Sequence, residues 1–303
     1  MEQTTESLQT LVTEQNNPAT REIGSADAQT IVRLIHAEDK QVALCIEPEL
    51  PKIAHAIEAI SERLKTGGRL FYFGAGTSGR LGIIDASECQ PTFGVPDDMV
   101  QGIIAGGYGA IRNASLGNED DYEAGFSEIA AHAITAADAV CGIAASGRTP
   151  YVRGVLQAAK EAGCLTVAIT NNRDTPISRI AEITIAPIVG PEAIQGSSRM
   201  KAGTSQKMIL NMLSTGVMIR LGKVYGNRMV DMVATNEKLL DRAKRLVMEI
   251  TGCEEEQATQ ALASCGQNVK TAVVSILAKI SPAEARERLD KCGGFADRAL
   301  QME

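Results

Sequence analysis

Residues 69–82 read RLFYFGAGTSGRLG: a short apolar run, a loop of glycines and hydroxyl side chains, and then a stretch of helical character. An apolar run that ends in glycine is typical of a buried strand, and four further runs follow. They are Gln101–Ala105, Ala139–Ala145, Leu165–Thr170 and Ile183–Ala186. Because helix-length stretches separate these runs, the pattern predicts βαβ units and a parallel sheet covered on both faces.

The predicted fold class is α/β, an open doubly wound parallel sheet flanked by helices, with a small all-helical C-terminal domain. Five strands are too few for a closed eightfold barrel. We expect a first domain over 1–235, with its core at about 53–222, and a helical domain over 236–303. The polar residues 1–30 predict an extended N-terminal arm, and helical spacing follows at Ile31–Val42 and Ile53–Leu64.

The C-terminal domain is predicted to be all helical because strand signals stop after about residue 235. Four helices are expected: Asn236–Ile250, Glu254–Cys265, Val269–Ala278 and Pro282–Lys291. Thr251 followed by Glu254 predicts a capping box at the start of the second of them.

Composition excludes several classes of function. The net charge is −7, aromatic residues make up 3% and there is no long basic run, so we expect no nucleic-acid partner. No apolar run reaches the ~18 residues of a membrane helix, and Met1–Glu14 is too polar for a signal peptide. The seven cysteines form no CxxC pair, which predicts reduced thiols in a cytoplasmic protein with neither disulfides nor a metal site.

The loop from Gly74 to Arg80 is the first candidate for anion binding. Its glycines allow a sharp turn, a helix N-terminus follows, and Thr77 and Ser78 add hydroxyl groups. The GK[ST] ending of a Walker A loop is absent, and a plain tight turn is the alternative.

Two further loops of similar character follow later strands. Ser146 and Thr149 flank Gly147-Arg148, and Ser197 and Ser198 precede Arg199-Met200-Lys201. Because neighbouring strand ends of a parallel sheet meet at one crevice, the loops at Gly74–Arg80 and Ser146–Thr149 predict one phosphorylated ligand contacted from both, and the loop at Ser197–Lys201 predicts a further ligand-binding role. Helix capping is the alternative for the hydroxyl groups. Salt bridging is the alternative for Arg80, Arg148 and Lys201.

Glu88 and Glu119 are the candidate acid–base carboxylates, each downstream of a glycine-containing turn. Most glutamates are solvated surface charges, which is the alternative for either one. The three histidines lie outside the glycine-rich loops, so a histidine-based triad is disfavoured.

Three long stretches resemble the N-acetylmuramic acid 6-phosphate etherase family of the sugar isomerase (SIS) fold class. They are FGAGTSGRLGIIDASECQPTFG (73–94), ASGRTPYV (145–152) and GSSRMKAGTSQKMILNMLST (196–215). The helical tail also resembles that family's ubiquitin-associated-like bundle. The resemblance implies cleavage of N-acetylmuramate 6-phosphate into N-acetylglucosamine 6-phosphate and D-lactate, in the cytoplasm, during cell-wall recycling. It further implies a homodimer without a metal or an organic cofactor.

The same resemblance implies roles for individual residues. Glu88 would be the general acid and Glu119 the base at carbon 2, which requires burial or a like charge to raise the pKa of the acid. The implied binding residues for the substrate are Thr77, Ser78, Ser146, Thr149, Ser197, Ser198, Arg148 and Lys201. A sugar-phosphate isomerase of the same fold and a non-catalytic sugar-phosphate sensor remain as alternatives.

Overall fold

The computed structural model describes residues 11–113, 117–234 and 236–302. The chain divides into two compact units. The first comprises the residues up to Ala86 together with Met99–Leu213, and the second comprises Ser87–Asp98 and the residues from Ser214 onward. The predicted domain boundary at residue 235 stays a prediction, and Thr235 itself lies outside the described residues.

The first unit contains a five-stranded parallel sheet. Its strands are β1 (Leu70–Gly74), β2 (Val100–Ile104), β3 (Ala139–Ile143), β4 (Leu165–Ile169) and β5 (Ile183–Ile185). They are arranged in the order β2-β1-β3-β4-β5, and every residue of β1, β3 and β4 is buried. All five predicted strands are therefore confirmed. The full burial follows from helices on both faces, as the continuous apolar runs predicted.

Nine helices surround or extend this sheet within the described residues. They are α1 (Ala28–Asp39), α2 (Gln41–Ile46), α3 (Leu50–Lys65), α4 (Gly76–Phe93), α5 (Gly109–Arg112), α6 (Tyr122–Ala131), α7 (Pro150–Glu161), α8 (Pro176–Ile180) and α9 (Lys201–Arg220). The helical spacing predicted at Ile31–Val42 is confirmed, and Lys40 divides this stretch between α1 and α2.

Helices α6 and α7 pack unusually close through two glycines. A Cβ atom on Gly125 would lie 2.0 Å from the carbonyl oxygen of Tyr151, and one on Gly154 would lie 2.1 Å from that of Tyr122. Glycine is therefore required on both helices. This contact fixes α6, and with it the turn that precedes α6, against α7.

The N-terminal arm is not extended as predicted. From Leu11 onward it forms short 3-10 turns at Val12–Glu14, Pro18–Thr20 and Ile23–Ser25, and residues 1–10 lie outside the described part. The arm bonds to distant loops of the first unit: the Val12 amide donates to Oδ1 of Asn172, and the Thr20 hydroxyl donates to the carbonyl of Ala193.

The C-terminal part of the second unit, from residue 236 to residue 302, contains five helices. They are α10 (Glu237–Thr251), α11 (Glu255–Ser264), α12 (Val269–Ala278), α13 (Pro282–Lys291) and α14 (Ala296–Leu300). The four predicted helices are confirmed, and α14 was not predicted. Their interior contains small and aliphatic side chains such as Ala243, Val247 and Val273.

The predicted capping box at Thr251 and Glu254 is wrong. The Thr251 hydroxyl donates back to the carbonyl of Val247 within α10, and Glu254 makes no side-chain bond as N-cap of α11. The capping box of this unit lies at Ser281 and Glu284, at the start of α13.

Candidate active site

The loop after β1 makes the sharp turn that its glycines predicted. Gly76 has φ +52° and begins α4, and a Cβ atom on Gly74 would lie 2.7 Å from the amide nitrogen of Gly79. Side chains larger than hydrogen are excluded there, so the backbone closes tightly around the start of α4. The amides of this first turn and the Thr77 hydroxyl group are the groups that could hold an anion, whereas the Ser78 hydroxyl donates to a side chain of the protein.

The Arg80 side chain donates hydrogen bonds to backbone carbonyls of the neighbouring helix α5. Its Nε donates to the carbonyl of Ile111 at 2.9 Å, and its Nη2 donates to that of Ala110 at 2.9 Å. A guanidinium group in this position binds the carbonyl end of α5, so the structural alternative applies to Arg80.

The loop after β3 places Ser146 and Thr149 at the start of α7. The Ser146 Oγ accepts from the Arg148 amide at 3.2 Å, and Gly147 has φ +68°. Thr149 is the N-cap residue of α7 but makes no side-chain cap bond. Neither hydroxyl group is therefore used to cap the helix, which was the alternative explanation of this loop.

The loop before α9 is organised by Glu192, a residue that the sequence analysis missed. Its carboxylate is fully buried and accepts from the Lys201 and Ala202 amides, each at 2.9 Å. Burial raises the pKa of Glu192, and the two amide hydrogen bonds oppose that rise. The N-terminus of α9 is thus occupied by a protein carboxylate.

Lys201 forms an ion pair with Glu38 through its Nζ, and it is only 3% exposed. The structural alternative that the sequence left open for Lys201 is the one that this geometry favours. Ser197 and Ser198, in the same loop, are half-buried.

The first and third loops touch each other at Gly203. A Cβ atom on Gly203 would lie 3.4 Å from Cγ2 of Thr77 and 3.6 Å from the carbonyl oxygen of Ser198. The second loop is adjacent because β1 and β3 are neighbours, with Gly74 opposite Ile143. The structure thus brings the three predicted loops together at the carboxyl edge of the sheet, where ligands of such sheets bind.

A chain of buried polar side chains lies beneath these loops. The Ser78 hydroxyl donates to Oε1 of Gln206 at 2.8 Å, and Nε2 of Gln206 donates to Oδ1 of Asn171 at 3.3 Å. Nδ2 of Asn171 donates to Ser205 Oγ at 2.8 Å. These bonds connect the first loop, the end of β4 and the first turns of α9.

The N-terminal arm bonds to the same region through Asn172. Oδ1 of Asn172 accepts from the Val12 amide at 2.7 Å, and its Nδ2 donates to Thr13 Oγ1 at 3.2 Å and to the carbonyl of Ala145 at 3.0 Å. Ala145 immediately precedes Ser146. Asn171 and Asn172 were not among the predicted site residues, although two asparagines directly after an apolar strand were the available signal.

The two candidate carboxylates lie on different elements. Glu119 is exposed in a 3-10 turn, Asn118–Asp120, which packs against α7, the helix that follows Thr149. Glu88 is exposed on α4, the helix that begins at the first loop. Glu88 thus lies on the helix that begins at the first loop, and Glu119 lies in a turn that packs against the helix that follows the second loop.

Two features are absent from the described part of the chain. No helix there is long and apolar enough to cross a membrane. No group of three or more His, Cys, Asp or Glu side chains is arranged there to hold a metal ion.

Family models match most of the chain in three segments. Residues 52–160 match the N-terminal SIS domain of glucokinase regulatory protein, and 122–216 match the SIS domain. Residues 226–268 match the C-terminal lid domain of glucokinase regulatory protein.

Curated relatives match over nearly the whole chain. The N-acetylmuramic acid 6-phosphate etherase of Clostridium beijerinckii is 52% identical over 97% of both chains. That of Symbiobacterium thermophilum is 56% identical over 90% of this chain and 91% of its own. Among solved structures, a candidate phosphosugar isomerase involved in capsule formation from Bacteroides fragilis shares the fold, with TM-score 0.51 and 19% identity over 64% of this chain and 91% of its own.

Proposed function

The chain belongs to the N-acetylmuramic acid 6-phosphate etherase family, and we propose that Glu88 and Glu119 are the acid–base pair of its reaction. The reaction takes N-acetylmuramic acid 6-phosphate and water to N-acetylglucosamine 6-phosphate and D-lactate. It serves the recycling of peptidoglycan.

The observation that carries the proposal is the meeting of the three hydroxyl-bearing loops at one sheet edge. We assign the 6-phosphate of the sugar to this edge, with Thr77, Ser78, Ser146, Thr149, Ser197 and Ser198 as its binding residues. The proximity of Gly203 to both Thr77 and Ser198 supports this assignment, since it brings the first and third loops close together. Neutral donors are sufficient, since amides and helix N-termini favour anions.

Arg148 is assigned to the lactyl carboxylate. It stands between two phosphate-binding residues of the second loop, and a guanidinium group recognises a carboxylate through paired hydrogen bonds. Lys201 is assigned the task of holding the third loop through its ion pair with Glu38.

The chemistry proceeds through the open-chain aldehyde form of the sugar. Glu119 removes the proton on carbon 2, which the carbon 1 aldehyde makes acidic. The bond from carbon 3 to the lactyl oxygen breaks, Glu88 protonates that oxygen, and D-lactate leaves with an α,β-unsaturated aldehyde remaining. Glu88 then deprotonates a water that adds at carbon 3, and Glu119 returns the proton to carbon 2, so that both glutamates are restored.

This mechanism requires Glu88 to be protonated and Glu119 to be ionised when the substrate binds. Both side chains are exposed in the single chain.

A homodimer is proposed on the basis of the N-terminal helices. Helix α1 contains no buried residue, although it carries Ile31, Val32, Leu34 and Ile35. Val32 is 60% exposed, and Leu44 on α2 is 57% exposed. A second copy that covers these side chains removes apolar surface from water.

Analytical sedimentation tests the homodimer. The wild type should sediment as a dimer, and the double variant Val32→Glu with Leu44→Glu should sediment as a monomer. A wild-type monomer at micromolar concentration contradicts the dimer.

A cytoplasmic location is proposed because all seven cysteines are free thiols, as expected for a reducing compartment. Cell fractionation tests this, and recovery of the protein outside the cytoplasm contradicts it.

The function is tested by incubation of the purified protein with N-acetylmuramic acid 6-phosphate and an enzymatic assay for D-lactate. Stoichiometric release of D-lactate is expected, and the unphosphorylated sugar should be a poor substrate. An aldose–ketose conversion without lactate would indicate the isomerase, and binding without turnover would indicate the sensor.

A further inference from the structure

The buried polar chain beneath the loops has a fixed direction. The carbonyl of Pro187 can only accept, and Nδ2 of Asn171 donates to it at 3.1 Å. The Ser205 hydroxyl donates to the carbonyl of Ala202 at 2.7 Å, so it accepts the second hydrogen of Asn171. The orientation of the Asn171 amide is therefore determined by backbone carbonyls.

The orientation of the Asn171 amide also determines the direction of the hydrogen bond between Gln206 and Ser78. Because Oδ1 of Asn171 faces Gln206, Gln206 must present its Nε2 there and its Oε1 to Ser78. The reverse orientation would place two amide oxygens against each other in a fully buried location, since Asn171 and Gln206 are both 0% exposed. The Ser78 hydroxyl must then donate its proton to Gln206.

We propose that Gln206 is a positioning residue for substrate binding, which accepts the hydrogen bond of the Ser78 hydroxyl and holds the first loop in its binding geometry. Ser78 then contributes to phosphate binding through its main-chain amide and the placement of its loop, and not as a side-chain donor. This inference rests on the proposed function, because it assigns a structural basis to the same phosphate site.

The inference is tested by the kinetics of D-lactate release in Gln206→Met, Ser78→Ala and the double variant. Each single variant should raise KM about tenfold with kcat within about twofold of the wild type. The double variant should show no further rise, because both changes break the same hydrogen bond. A rise in KM for Ser78→Ala that is equally large in both backgrounds overturns the inference, since Ser78 would then act without Gln206.

A control variant is Gln260→Met, because Gln260 is exposed on α11 and its side chain donates to the exposed Glu256. It should leave KM and the melting temperature unchanged. If the wild type releases no lactate, the proposed function fails; if the wild type is active and folded Gln206→Met has normal KM, only the positioning role fails.

A second variant covers the case in which Gln206→Met does not fold. In Gln206→Glu, the carboxyl group can accept from Ser78 in either form, but it can donate to Asn171 only when protonated. KM should therefore approach the wild-type value at low pH and rise above it as the pH increases. A ratio of KM between variant and wild type that stays at one across pH overturns the inference.

Discussion

Nδ2 of Asn211 on α9 donates to Oδ1 of Asp85 on α4 at 2.6 Å. Asp85 is 6% exposed, so this bond is made to a carboxylate largely removed from water. Hydrogen bonds to charged groups in such surroundings are stronger than neutral ones. The bond joins the helix that begins at the first loop to the helix that begins at the third.

We predict that Asn211→Ala lowers the free energy of unfolding by about 2 kcal/mol, since it removes a donor from the buried Asp85 carboxylate. Urea denaturation measures this change. The control is Lys207→Ala on the same helix, where the side chain is exposed and the change should stay within about 0.5 kcal/mol. Equal effects of the two substitutions would show that the Asn211 bond adds little.

The Arg69–Asp138 pair gives stability a dependence on pH. Burial favours a higher pKa for Asp138, but hydrogen bonds from Arg69 and the Thr135 amide outweigh it and lower the pKa below its ordinary value. Because the folded-state pKa is lowered, the stabilisation is present above the unfolded value of 3.8 and is lost as the pH falls through the folded-state pKa.

We therefore predict that Asp138→Asn costs about 2 kcal/mol at pH 7 and that this cost shrinks below pH ~4. Urea denaturation of both proteins at several pH values measures the difference. The exposed Asp241–Arg245 pair provides the control, and Asp241→Asn should cost less than about 0.5 kcal/mol. A cost for Asp138→Asn that grows toward low pH would reverse the assigned sign.

We predict that Asn172→Asp loosens the second loop while the arm stays attached. The aspartate keeps the acceptor for the Val12 amide but loses the donors to Thr13 and to the carbonyl of Ala145. KM should rise about fivefold to tenfold, and amide exchange should increase at Ser146 and Gly147. Asn172→Ala also removes the Val12 bond and should add faster exchange at residues 11–15. If amide exchange becomes faster only in the arm and KM stays normal, the bonds between Asn172 and the arm do not affect substrate binding.

The sheet could be predicted from sequence because fully buried parallel strands are short continuous apolar runs. All five runs became strands, with end points shifted by at most two residues. The capping box at Thr251 and Glu254 could not be excluded from sequence, since Thr251 has an alternative acceptor inside its own helix. Local hydrogen bonds of this kind compete with caps and depend on where the helix ends.

The loops of the site were predictable from their composition, but their partners were not. Ser78 bonds to Gln206, which lies 128 residues further along the chain, and Asn172 bonds to Val12 over 160 residues. Such pairs depend on the packing of α9 and of the arm, and no periodicity in the sequence reports them. The role of Lys201 could not be predicted for the same reason. Whether its Nζ contacts substrate or forms an ion pair depends on the position of Glu38 in the fold.

The central claim is that Glu119 acts as the base at carbon 2 and Glu88 as the acid at the lactyl oxygen. Hydrogen exchange at carbon 2 of the substrate tests this claim most directly. Each variant is incubated with N-acetylmuramic acid 6-phosphate in D₂O, and deuterium at carbon 2 and free D-lactate are both measured. Glu88→Gln should incorporate deuterium into unreacted substrate while lactate release falls at least about a hundredfold, because the base still works without the acid. Glu119→Gln should show neither exchange nor release. Exchange at the wild-type rate in Glu119→Gln would contradict the account.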